Sequence, residues 1–329
     1  MNKTILIPDR IKENIEIEKK VFGDGYNIIA KGCVDKNDIP LDIWKSADAI
    51  LAWHDIKYDA ELISQLENCR VIVRVGVGYD NVDLEAAKKN KIIVCNVPDY
   101  GTNDVADHTI ALLLNLARGV KAFNDEIKNN FSWDWNSIGV LRRLSGQKIG
   151  LIGLGRIGNA VALRAKAFGL NVSFFDPYLS TGIEKVFGFN RYLNILDMIS
   201  SCDIVSFHTP LTKETKNMAD DNFFSNMKKE SILLNTARGE IVNLDSLYKA
   251  LKKGVVKMAG LDVLGCEPPD KNHPLISAWY KEDSWIKNRL ILTPHAAFYN
   301  NESYIEMREK AANEAKRVLD KKSPLNRIV

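Results

Sequence analysis

"KIGLIGLGRIGNAVALRAKAFGLNVSFFDPY", residues 148–178, decides the fold. Residues 148–152 form a short apolar, strand-like run that enters Gly153-x-Gly155-x-x-Gly158, and an amphipathic stretch then leads to a second run ending at Asp176. Gly153 permits a tight turn, Gly155 lets the backbone approach a pyrophosphate, and Gly158 allows a helix to pack close to a strand. Arg156 and Ile157 open that helix, whose first N–H groups face outward and suit phosphate oxygens. Asp176 stands 18 residues beyond Gly158, where a carboxylate takes ribose hydroxyls and repels a 2′-phosphate. With no Arg at 177–180, the run predicts NAD rather than NADP.

The same alternation extends in both directions. Strand-like runs include "TILIP", "DAILAW", "RVIVRVG", "KIIVCN", "DIVSFH", "SILLNT" and "VKMAGLDV", with helical stretches between them. Such a pattern implies parallel sheets covered on both faces, and there are too many strands for one small sheet. The expected fold is α/β, with two doubly wound, Rossmann-like domains joined by two crossover helices. The first domain spans 1–103 and is completed by about 296–329; the second spans 104–295. "NDVADHTIALLLNLARGVKAF" reads as one long helix capped by Asn103 or Asp104, and a second capped helix begins near Asn301. "FSWDWNSIGVLRRLSG", 131–146, reads as an irregular, aromatic-rich connection suited to a dimer contact.

Composition narrows the class. The 329 residues are 46% hydrophobic, with 45 Lys and Arg against 42 Asp and Glu, so nothing calls for nucleic acid. No apolar run approaches a membrane span, and "MNKTILIPDR" lacks the features of a signal peptide. The five cysteines are scattered without C-x-x-C spacing, and the five histidines show no metal pattern. The expectation is a soluble cytoplasmic protein without a metal.

"SILLNTARGEIV", 231–242, places Arg238 directly after a buried-looking strand. An always-charged guanidinium so close to a core requires an anion, and its planar fork matches a carboxylate. His295, in "TPHAAF", carries an imidazole able to donate or accept a proton near neutrality.

Together, "VRVGVGYDNVDLEAA", "GLIGLGRIG", "FHTPLTKETKNM", "LLNTARGEIVN", "GLDVLGCEPP" and "LTPHAAF" resemble the D-isomer-specific 2-hydroxyacid dehydrogenase family from about residue 70 onward. The nearest likeness is to its C-terminal-binding-protein branch, through "VCNVPDY" and "TPHAAFYNNESYIEMREKAANEAKR". The resemblance implies a catalytic trio of Arg238, Glu267 and His295, in which Glu267 orients the histidine. The activity it implies is interconversion of a 2-oxo acid and its D-2-hydroxy acid with NAD. The anion awaited by Arg238 is then the substrate carboxylate. Arg74 and the Gly76-Val77-Gly78 turn would also face that carboxylate. Thr209, Pro210 and Thr215 would line the adenosine side of the cofactor site, and Thr236 and Asp262 its nicotinamide side. A homodimer is implied as well. The alternative implied by the branch is an NAD-sensing scaffold or corepressor.

Two departures stand out. Phe298 occupies the position where that branch carries Trp, so the branch's substrate preference does not transfer. "DKNHPLISAWYKEDSWIKNR", between Glu267 and His295, exceeds the family minimum, and its Trp279, Tyr280 and Trp285 suit burial of a surface loop better than a pocket wall.

Overall fold

The computed structural model describes residues 2–329, which divide into two compact units. The first comprises the described residues up to Gly101 together with Tyr299–Val329. Its strands are β1 (Lys3–Asp9), β2 (Tyr26–Cys33), β3 (Ala49–Ala52), β4 (Val71–Arg74) and β5 (Ile93–Cys95), all parallel in the order β2-β1-β3-β4-β5. β3 and β4 are buried along their whole length, as expected for central strands of a doubly covered sheet. β2 adds to the expected set. It is an edge strand, partly exposed along most of its length, with neither the alternation nor the unbroken apolar run that marks a strand in sequence.

The C-terminal helix Asn301–Leu319 belongs to this unit. It begins with a capping box in which Asn300 Oδ1 accepts the Ser303 N–H and Ser303 Oγ accepts the Asn300 N–H. Arg308, near its middle, forms a two-pronged bond to Glu18 at 2.8 and 2.6 Å, with both side chains at most 3% exposed. Removing one partner from such a buried pair costs about 3–5 kcal/mol, so this contact firmly holds the returning helix to its unit.

The second unit is Thr102–Phe298. It holds β6 (Lys148–Ile152), β7 (Asn171–Phe175), β8 (Asn190–Arg191), β9 (Ile204–Phe207), β10 (Ser231–Asn235), β11 (Val256–Leu261) and β12 (Leu290–Leu292), parallel in the order β12-β11-β10-β9-β6-β7-β8. The short edge strand β8 is a further addition to the expected set, while β12 is the strand expected just before His295. The chain turns from one side of this sheet to the other between β6 and β9, the arrangement that opens a ligand crevice at the carboxyl ends of the strands.

The expected long helix is instead two. Thr102–Arg118 is followed by Val120–Asn130, with Gly119 between them at φ 63°. The left-handed backbone favours glycine there, and a Cβ, 2.2 Å from Ile138 Cδ1, would make that side chain shift. The first helix also starts at Thr102, which places Asn103 and Asp104 inside its first turn rather than at its cap. Trp279 and Trp285 pack on the core of this unit: Trp279 Nε1 donates to the Leu290 carbonyl at 3.2 Å, and Trp285 meets Tyr248 edge-on. Tyr280 stays exposed. Phe131, Trp133 and Trp135 are 94, 90 and 84% exposed in the irregular connection. No helix among the described residues is long and apolar enough to cross a membrane.

Candidate active site

β10, β11 and β12 are adjacent and parallel, so the loops that follow them leave from one edge of the second sheet. Arg238 lies just past β10, Glu267 in the loop after β11, and His295 just past β12. A close backbone approach joins the first two loops. A Cβ at Gly239 would fall 1.9 Å from the Leu264 carbonyl carbon and 2.4 Å from Gly265 N, a spacing that only glycine permits. Arg238 Nη1 donates to its neighbour's carbonyl, Ala237 O, at 2.8 Å, and Asn235 Nδ2 bonds Arg238 O at 2.9 Å. The guanidinium is thereby aimed from a fixed turn.

His295 adopts φ 52°, uncommon for a residue with a side chain. Its N–H donates to Asp262 O and Thr293 O, which hold it in that conformation. Its Nδ1 lies 2.8 Å from Glu267 Oε2, while Glu267 Oε1 accepts the Leu264 N–H at 2.9 Å. Burial pushes the Glu267 carboxyl up. The bond and charge of His295, the Leu264 N–H and the Arg238 charge outweigh it and hold the carboxyl below its ordinary value. An ionised Glu267 can only accept, so His295 Nδ1 carries a proton, and Nε2 is the ring nitrogen that does not meet Glu267. Phe298 stands edge-on to the imidazole at 6.4 Å between centroids.

Asp262, 2% exposed, already serves this loop. Its Oδ1 accepts from Thr293 Oγ1 and Ala296 N, and its Oδ2 from Ala297 N. Behind it stands a residue the sequence did not single out. His108 Nε2 lies 3.0 Å from Thr293 Oγ1, and since that hydroxyl gives its hydrogen to Asp262, His108 must donate. Thr236 Oγ1 similarly meets Thr109 Oγ1 at 2.8 Å, and Thr109 gives its own hydrogen to Val105 O, so Thr236 is the donor. The only signal of His108 and Thr109 in sequence was a polar pair within an apolar helix.

Further along the same edge, Gly153 sits at φ 90°, and a Cβ there would lie 2.8 Å from His208 O. A Cβ on Gly158 would lie 2.3 Å from Gly153 O, whereas Gly155 faces open space. Asp176 Oδ2 accepts the Leu154 N–H at 2.9 Å, and its Oδ1 accepts the Tyr178 N–H at 3.0 Å. The helix Arg156–Ala167 starts at this turn with Ile157 in its first turn. Thr215 Oγ1 donates to Pro210 O at 2.7 Å and closes the loop after β9. Three buried atoms around the turn, Asn159 Oδ1, His208 Nδ1 and Thr209 Oγ1, have no hydrogen-bond partner. Burial depresses the His208 imidazole to about 3, so it remains neutral. Unmatched polar atoms beside a glycine-built turn fit a bound dinucleotide.

The remaining residues of interest lie in the first unit. Arg74 is 6% exposed at the end of β4, and its Nη1 bonds Val75 O. Gly76 has φ 145°, and its N–H donates to Arg74 O at 2.9 Å within the turn.

Comparison with known proteins agrees with this geometry. Residues 110–297 match the model of the D-isomer specific 2-hydroxyacid dehydrogenase NAD binding domain. The chain is 34% identical over 316 residues to D-3-phosphoglycerate dehydrogenase of Methanocaldococcus jannaschii, covering 96% of this chain and 57% of that protein. It is 32% identical over 315 residues to the Bacillus subtilis enzyme of the same name, covering 94% of this chain and 56% of that one. The chain thus spans little more than half the length of these curated relatives. A solved structure of D-lactate dehydrogenase from Aquifex aeolicus, complexed with NAD and lactic acid, superposes with TM-score 0.83 at 29% identity over 96% of each chain. With the glycine-built turn, its acidic partner and the Arg–Glu–His edge in place, this chain belongs to the D-isomer-specific 2-hydroxyacid dehydrogenase family, and its second unit carries that family's NAD-binding domain.

Proposed function

We propose that the protein is an NAD-dependent oxidoreductase that interconverts a 2-oxo acid and its D-2-hydroxy acid. The observation that carries this reading is the 2.8 Å contact of His295 Nδ1 with Glu267, which orients the imidazole, on an edge that also presents Arg238. Arg238 binds the substrate carboxylate through its fork and polarises the neighbouring keto oxygen. His295 Nε2 gives a proton to that oxygen in reduction and takes it back in oxidation; Glu267 orients the ring and stabilises its charged form. NAD(H), held by residues 153–158, Asp176, Thr209, Pro210, Thr215 and Thr236, supplies or removes the hydride. Asp262 acts first by positioning the His295 loop. In the first unit, the N–H groups of the Gly76-Val77-Gly78 turn with Arg74 are assigned to carboxylate binding on the strength of the family likeness.

A screen of 2-oxo acids with NADH, followed by loss of absorbance, tests the reading; pyruvate and the 2-oxo form of 3-phosphoglycerate head it, given the relatives' names. Tight NADH binding without turnover on any of them would favour the scaffold alternative instead. Asp176 accepts ribose hydroxyls, so NADH is preferred over NADPH and Asp176→Ala narrows the preference; equal use of both by the wild type removes this claim. The exposed Phe131, Trp133 and Trp135 support a homodimer, which a monomer in sedimentation at micromolar concentration would exclude.

A further inference from the structure

β6 lies between β7 and β9, so the loops that follow those two strands flank the Gly-rich turn. Both loops touch the turn. On one side Asp176 holds the Leu154 N–H, and on the other the space a Gly153 Cβ would need is filled by His208 O and Thr209 Cγ2. The loop after β9 is held by its own bonds: Thr212 N–H donates to Thr215 Oγ1 at 2.8 Å, and Glu214 N–H to Thr212 Oγ1 at 3.2 Å. The Glu214 side chain is presented outward from that closed turn. Tyr178, two residues past Asp176, crosses to it, and its hydroxyl donates to Glu214 Oε2.

Packing does not explain this contact, because Tyr178 is 79% exposed and Glu214 is also exposed. What the contact does is join the two flanking loops outside the dinucleotide turn. We propose that Tyr178 and Glu214 form a strap on the adenosine side of the NAD site. Their hydrogen bond slows dinucleotide release, and the Glu214 carboxylate acts with Asp176 to exclude a 2′-phosphate. The bond to Glu214 first, then its charge, slight burial and the Asp176 charge raise the phenol's pKa, so it stays a neutral donor beside two carboxylates.

The inference rests on the NAD site but not on the proposed chemistry, and binding alone tests it. NADH release by stopped-flow fluorescence and equilibrium affinities for NADH and NADPH are measured on the full chain, wild type, Tyr178→Phe and Glu214→Gln. Tyr178→Phe removes the bond and keeps the charge. It raises the NADH off-rate about 3- to 10-fold, the span of one charge-assisted hydrogen bond at a wet surface, and leaves the NADPH/NADH affinity ratio within about twofold. Glu214→Gln keeps a neutral acceptor and loses the charge, so it changes the off-rate less but narrows the ratio by about threefold or more. An unchanged off-rate in Tyr178→Phe, or an unmoved ratio in Glu214→Gln, overturns the strap. A wild type that binds no NADH refutes the site itself, which separates the two failures.

Discussion

One end of the second sheet's carboxyl edge is built from backbone and the other from side chains. Around residues 153–158, glycines create the shape: each forbidden Cβ marks a place where main chain meets main chain, or where a ligand would. Around Arg238, Glu267 and His295, three separate loops each contribute one charged or titratable group, and the proposed chemistry depends on their mutual placement. The first kind of site tolerates almost no added atom. The second tolerates modest movement but no change of functional group.

Four substitutions probe that contrast. The largest expected effect is at His295. His295→Ala removes the proposed proton donor and lowers turnover by about 10²–10⁴-fold, while NADH affinity, measured by fluorescence, changes little. Loss of NADH binding in parallel would mean that the loop, rather than the imidazole, had been lost.

Arg238→Lys follows. It keeps the charge but not the fork, and kcat/KM falls by about 100-fold with cofactor affinity nearly unchanged. A fall of less than about threefold would leave Arg238 without its assigned partner.

Gly158→Ala acts on the backbone-built end. Its methyl would meet Gly153 O at 2.3 Å, so the turn must shift. Overpacking of about 1–3 kcal/mol corresponds to roughly a 5- to 150-fold loss of NADH affinity. Wild-type affinity in this variant would contradict the close packing.

The smallest effect concerns pH. Because the Glu267 carboxyl is held below its ordinary value, its interaction with His295 and the Leu264 N–H contributes stability that is fully present above the unfolded value of 4.5. That contribution is lost as pH falls through the folded value. Urea midpoints of wild type and Glu267→Gln should therefore differ at pH 6 and converge in acid. A constant gap down to pH 3 would break the pairing.

The two ends also differ in how readily the sequence disclosed them. The Gly-rich turn and Asp176 were legible because turn, helix start and acid lie within one short run, and local backbone geometry dictates their residue types. β2 and β8 were not, since edge strands that are short or half-exposed carry no hydrophobic period. The break at Gly119 was hidden because the side chain that crowds it, Ile138, comes from a segment without regular structure. His108 and Thr293 are 185 residues apart, and Thr109 and Thr236 are 127 apart, so no spacing rule links them.

By itself, the sequence determined the α/β alternation, the dinucleotide turn and the chemical types of the trio. These follow from period, glycine and functional group, all properties of short stretches of chain. Only the tertiary structure decided that His295 is gripped at Nδ1 by Glu267, that Asp262 holds the His295 loop, and that Tyr178 reaches Glu214. Each of these is a contact between loops that neighbour one another only because their strands lie in one parallel sheet, and strand order is set by global packing rather than by any local run of residues.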